Sequence, residues 1–173
     1  MAVPGYILKS KDEFVLEEAR EKVKLIADKM NMHISENSPY IEEGKISYIQ
    51  YGIYDDVAWN LDTEDWGDDD VEQGESLSFY IYAIDEKYKE DYIFDWIEKG
   101  KKLHRIICID NMEFNERLTL KFVYEYLKLN PNDYFWNDNN WFYTLNDIER
   151  IINLPFDENW GYRNPNQYSL NQR

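Results

Sequence analysis

A chain of 173 residues fits one domain and buries roughly 70% of the surface its unfolded form would expose. Its 43% hydrophobic content, with fifteen Tyr, eight Phe and six Trp, excludes a disordered polymer, because aromatic side chains offer large areas to bury. A formal charge of -16 disfavours direct binding to nucleic acid or anionic lipid, and the single Cys108 closes no intramolecular disulfide.

In chain order, Ser10 and Glu13 stand at the spacing of a capping box. A helix is expected to follow, with Val15, Ala19, Val23, Ile26 and Met30 at helical intervals and charged residues opposite. It should end near Asn31. Met32–Ser35 and Lys45–Tyr54 read as antiparallel strands, the second preceded by the turn-prone Glu43-Gly44. Asp55 to Glu75 shows little periodicity and reads as a long loop, a length uncommon in a compact domain unless it serves function. Ser76–Ile84 alternates cleanly, with Leu77, Phe79, Ile81 and Ala83 on one face and Ser76, Ser78, Tyr80 and Tyr82 on the other.

Between Glu86 and Lys99 the pairs Tyr92/Ile93 and Trp96/Ile97 predict an amphipathic helix that Gly100 is placed to end. Leu103–Ile109 reads as a buried strand, and Phe114–Leu129 as a long helix stopped at Asn130-Pro131. Two aromatic runs, Tyr134–Trp136 and Trp141–Tyr143, bracket a four-residue turn of hairpin chemistry. Thr144 and Asp147 cap a last helix striped by Leu145, Ile148, Ile151 and Ile152. The expected architecture is a single α+β domain over residues 1–155, a mainly antiparallel sheet of four to six strands carrying three or four helices. Residues 156–173 are expected to form a polar, loosely held tail.

Signatures of chemistry are missing. His104 and Cys108 lie four apart on the expected strand, hence on one face but about 13 Å apart along it, too far for a nucleophile and its base. Cys108 between Ile107 and Ile109 reads as a small buried hydrophobe. One Cys and two His supply no zinc spacing. A calcium loop started at Asp62 has Trp66 at position 5 and Gln73 at position 12, and one started at Asp68 has Gly74 one place late. The seven glycines form no phosphate-binding loop. Asp110-Asn111 follows a strand, where ligands gather in α/β sheets, but capping or a turn is the commoner role of such a pair. Lys99, Lys101, Lys102 and Arg105 make a small basic cluster suited to a helix C-terminus. No catalytic residue, metal set or cofactor is assigned.

What stands out is charge. Glu42 to Glu75 holds twelve Asp or Glu against the single base Lys45, which places -11 of the total charge in a fifth of the chain. Trp59 and Trp66 lie within it, with Tyr48, Tyr51 and Tyr54 beside it, and Trp and Tyr are enriched at interface hot spots. The reading is a non-enzymatic protein that captures a basic partner. Asp55, Asp56, Asp62, Glu64, Asp65, Asp68, Asp69 and Asp70 would steer association, and Trp59 and Trp66 would anchor it. In size and acidity the chain resembles bacterial immunity proteins that block toxic nucleases, and inhibitors that mimic DNA with carboxylates. No motif carries that likeness, and no residue role is transferred by it. A composition rich in Asn, Lys, Ile and Tyr suits an AT-rich bacterial genome. Met1 to Ser10 has neither the basic flank nor the apolar run of a signal peptide, and no apolar stretch nears ~20 residues, so a cytoplasmic protein without a membrane span is expected. Two alternatives stay open. One is a metal-dependent hydrolase or carbohydrate-binding enzyme using Asp55, Asp56 and Asp110; the other is a regulatory or structural subunit with an apolar patch on Phe114–Leu129.

Overall fold

The computed structural model describes residues 3–85, 87 and 93–169. The chain is α+β: seven strands form one antiparallel sheet, flanked by helices. The strands are β1 (Gly5–Ser10), β2 (His33–Glu36), β3 (Tyr40–Glu42), β4 (Lys45–Tyr54), β5 (Ser76–Tyr82), β6 (Leu103–Ile109) and β7 (Tyr134–Trp136). Their order is β2-β4-β5-β6-β1-β7, with β3 also paired to β4. Helices α1 (Leu16–Lys29) and α3 (Glu116–Leu129) cover one face, α4 (Leu145–Ile152) packs on α3, and a single turn, α2 (Asp56–Trp59), follows β4.

Period-two alternation decides which face is covered. On β5 Leu77, Phe79 and Ile81 are buried beneath the helices while Ser76, Ser78, Tyr80 and Tyr82 turn to the second face. The core joins them to Ile7, Ile49, Ile53, Ile107 and Ile109 from the sheet, Val23 and Ile26 from α1, and Phe122, Val123 and Tyr126 from α3. Between β1 and β6 the register slips: Ile7 pairs with Ile107 but Leu8 with Arg105. Ile106 is therefore a bulge residue, and it enters the same core as Ile107. The bulge corrects one expectation. His104 pairs with Lys9 and Cys108 with Tyr6, residues three apart on β1, so the histidine and the thiol lie on opposite faces.

Local chemistry accounts for several boundaries. Glu43 (φ 50°) and Gly44 (φ 76°) form a two-residue turn with both residues left-handed, the twist that suits a tight hairpin between β3 and β4. Thr144 and Asp147 form the expected capping box of α4. The one expected at Ser10 is not made, because Ser10 is buried as the last residue of β1, paired with Leu103; α1 starts later, after the extended Val15. Arg20 on α1 donates to Glu36 (2.6 Å) and Glu17 (2.7 Å), and the Tyr51 hydroxyl also donates to Glu36, tying α1 to the β2–β4 edge. Deeper in, Tyr126 donates to the buried Asp133 at 2.8 Å and Lys9 pairs with the same carboxylate at 3.2 Å.

Three further expectations change. Of the helix anticipated over 86–99, residues 86 and 88–92 lie outside the described residues, and 93–100 form turns rather than an α-helix. One turn suffices there: Phe94, fully buried, plugs the second face against Leu8, Leu103 and Trp136, with Ile97 beside it. Tyr134–Trp136 adds to the sheet beside β1, and the expected hairpin with Trp141–Tyr143 shrinks to one bridge between Phe135 and Tyr143. The segment from 156 onward is no loose tail as far as 169. Trp160 is fully buried against Phe135 and Tyr143, and its indole N–H donates to the Glu116 carbonyl at 2.8 Å. Its neighbours are polar, but a single large aromatic holds the segment to the core.

Candidate functional site

The acidic segment is an ordered excursion between β4 and β5. Asp55 closes it at the base: Oδ1 accepts from Ala58 N (2.8 Å) as the cap of α2, and Oδ2 accepts from Glu75 N (2.8 Å). The Asp55 backbone N–H also donates to the Glu75 carbonyl at 3.0 Å. Gly74 (φ 71°) lies against this latch, and a Cβ there would come within 2.4 Å of Asp55 Oδ1. At the tip Gln73 organises the backbone. Its amide nitrogen lies 2.9–3.0 Å from the carbonyls of Asp65, Asp68 and Val71, and its oxygen accepts from Gly67 N at 2.9 Å. Asp68 Oδ1 accepts from Asp70 N at 2.9 Å, a local turn that faces the remaining acids outward.

Asp56, Asp62, Glu64, Asp68, Asp69, Asp70, Glu72 and Glu75 are exposed, and Asp65 is half-buried. Asp55 is consumed as the latch, so its assignment as a partner-facing charge is replaced by a structural one. The aromatic residues converge. Trp59 stacks on His33 (4.9 Å between centroids, 14°), Tyr54 lies 5.7 Å from Trp59, and Trp66 stands edge-on to Tyr54 at 6.3 Å. Trp59 and Trp66 nevertheless keep 45% and 46% of their surface exposed. His33 completes the arrangement with Nε2 2.7 Å from Asp56 Oδ1, a role that nothing in the sequence near it signalled. Tyr51 and Tyr48 do not join: Tyr51 is a core residue bonded to Glu36, and Tyr48 sits among Tyr40, Tyr80 and Tyr82 on the second face of the sheet.

Concave surface lies elsewhere. A cavity of about 730 Å³ opens at the opposite end of β4 and β5, lined by Tyr6, Lys45, Tyr82, Arg105 and Cys108 among others, and no residue of 55–75 lines it. Asp110, the third acid of the alternative enzymatic reading, is exposed at the end of β6, its backbone N–H donating to the Ser78 carbonyl. Among the described residues no three His, Cys, Asp or Glu side chains gather where a metal ion would be held. On α3 the exposed positions are Arg117, Lys121 and Lys128, so the apolar patch expected of a structural subunit is not present there, although Phe114 just before the helix is 87% exposed. No helix of the described residues is long and apolar enough to cross a membrane. Compared with models of protein families, with curated proteins and with solved structures, the chain matches none.

Proposed function

We propose that the protein is a non-enzymatic cytoplasmic binder that captures a basic protein, in the manner of an immunity protein or DNA-mimicking inhibitor, through the surface of residues 54–75. The observation that carries this reading is the pair of half-exposed indoles, Trp59 and Trp66, both in ring contact with Tyr54, in a segment that carries eight exposed carboxylates. Large rings fixed in place on a charged rim supply the central anchors of an interface at little entropic cost. Carboxylates around them attract Lys and Arg over a distance, and a guanidinium or ammonium arriving there also finds indole faces for cation–π contact. The latch at Asp55 and the bonds of Gln73 present this chemistry already ordered.

Immobilised wild-type protein, the charge reversal Asp68→Lys/Asp69→Lys/Asp70→Lys and the double variant Trp59→Ala/Trp66→Ala are incubated with host extract at low and then high salt. Retention of a basic protein by the wild type, released by salt and lost in both variants while their circular dichroism is unchanged, supports the reading. Equal retention by all three, or none by the wild type, refutes it.

A further inference from the structure

The two edges of the sheet differ. At β7 the Phe135 N–H and carbonyl both bond to Tyr143, which closes that side. At the opposite edge β2 and β3 lie in succession along β4, and the hydrogen bonds of β4 alternate between its two neighbours. Asp55 N donates to the Glu75 carbonyl and Ala83 N to the Ser47 carbonyl, so odd-numbered residues along β4 bond toward β5. Asn37 N donates to the Gln50 carbonyl, so even-numbered residues bond toward β2, in the pairs Gly52–Ser35 and Tyr54–His33. The N–H and C=O groups of Ile34 and Glu36 therefore point out of the sheet, and among the described residues no strand pairs with that side of β2.

Exposed edges are normally blunted by proline, charge or a bulge. The β3 half of this edge has all three: Pro39 precedes the strand, Glu42 ends it beside Glu43, and the register slips between Tyr40 and Ile41. The β2 half has neither proline nor bulge, and its one acid, Glu36, is engaged by Arg20 and Tyr51 on the helix-covered face. Ile34 is on that face too, opposite the core residue Ile53, whereas His33 and Ser35 stand on the second face opposite Tyr54 and Gly52. There Trp59 stacks on His33 at 4.9 Å, and Asp56 Oδ1 lies 2.7 Å from His33 Nε2. The open run of backbone thus ends beside an indole and a carboxylate of the acidic surface.

Resting on the proposed capture of a basic protein, we infer that the β2 edge accepts an extended cationic segment of that protein as an added strand. The backbone of the segment bonds to the outward groups of Ile34 and Glu36. A Lys or Arg opposite His33 on the second face has its Cβ about 5 Å away, within side-chain reach of the exposed Asp56 carboxylate and the half-exposed Trp59 ring. In strand addition the main-chain bonds supply affinity and the alternate side chains selectivity. A second copy of this chain is the poorer occupant, because it sets -16 against -16.

Two probes of equal charge decide it: the strand-forming tetracation acetyl-Lys-Val-Lys-Val-Lys-Val-Lys-amide, and spermine, a tetracation without peptide groups. Amide hydrogen exchange of the whole protein is followed residue by residue by NMR at low salt. With peptide at about ten times its dissociation constant, exchange at Ile34 and Glu36 should slow about tenfold. Ser35, already bonded to β4, should change much less, and spermine should leave all three as they are. Glu36→Pro and Glu36→Ala lose the same side-chain bonds, but only proline removes the outward N–H. The peptide should bind the proline variant about fivefold more weakly than the alanine variant, the loss of one hydrogen bond. Peptide binding that shifts the Trp59 indole N–H resonance yet leaves Ile34 and Glu36 exchange unchanged overturns the added strand and leaves the cation-capturing surface standing. Equal slowing by spermine also overturns the strand. Protection of these amides that grows with protein concentration without peptide gives the edge to a second copy and overturns it as well. Binding of neither cation overturns the strand and the acidic surface together.

Discussion

Replacing Asp55 by Ala should cost the protein stability, whereas reversing Asp68, Asp69 and Asp70 should not, although all four acids belong to one acidic run. Asp55 spends both carboxylate oxygens inside the fold, one on Ala58 N and one on Glu75 N, each at 2.8 Å. Loss of a helix cap costs about 1 kcal/mol, and a hydrogen bond to a charged group contributes roughly 1.5–3 kcal/mol. Since the residue is half-buried rather than enclosed, the lower ends apply, and about 2 kcal/mol in total is expected for Asp55→Ala. For a chain of this size that corresponds to a melting temperature lower by about 4–8 °C. The triple reversal, on exposed positions, should stay within about 0.5 kcal/mol. Urea denaturation followed by circular dichroism measures both. A stability for Asp55→Ala equal to wild type, or a triple variant as damaged as Asp55→Ala, would show that the latch does not hold the loop and that the acidic run behaves as one solvated surface.

Gly74→Ala should be worse than an ordinary surface change, because φ of 71° disfavours a side chain and its Cβ would meet Asp55 Oδ1 at 2.4 Å; a loop that becomes a ready substrate for limited proteolysis is the expected readout. Trp160→Ala should cost about 3–5 kcal/mol as a fully buried aromatic, measured by urea denaturation, and a smaller loss than about 1 kcal/mol would mean the C-terminal segment is not part of the core. For Glu36, the hydrogen bonds from Arg20 hold the carboxyl below its ordinary 4.5. A depressed folded value means its contribution is present above pH 4.5 and is lost as pH falls through the lower folded value. Glu36→Gln should therefore be less stable than wild type near neutrality, with the gap closing as acid titrates the wild type; a gap constant with pH from neutrality into acid contradicts this.

Much of the fold was legible because its signals are local. Period-two alternation marked β5, the turn-prone Glu43-Gly44 marked the start of β4 though not the short β3 that pairs with it, and the spacing of Thr144 and Asp147 marked α4. The misses share a cause in long-range contacts. Ser10 has the residue type of a cap, yet pairing with Leu103 claims it for a strand. Trp160 looks isolated among polar neighbours, and only Phe135 and Tyr143, distant in sequence, show why it is buried. At the site, the charge and the two indoles were visible in composition, but which acid works inside was not. Asp55 and Asp56 are adjacent and identical in type, and only the meeting of Ala58, Glu75 and His33 separates a latch from a surface charge. The cavity at the far end of β4 and β5 depends on where the ladders of β5 diverge, which no periodicity records.

In the proposed function, clustered carboxylates speed the docking of a cationic protein onto Trp59 and Trp66. Stopped-flow tryptophan fluorescence with the basic protein retained on the column measures this most directly, as an association rate against ionic strength. A steep fall in rate with salt is expected for the wild type, and a rate roughly 10-fold or more slower for the Asp68→Lys/Asp69→Lys/Asp70→Lys variant at low salt. An association rate indifferent to salt and equal in the two proteins would contradict it.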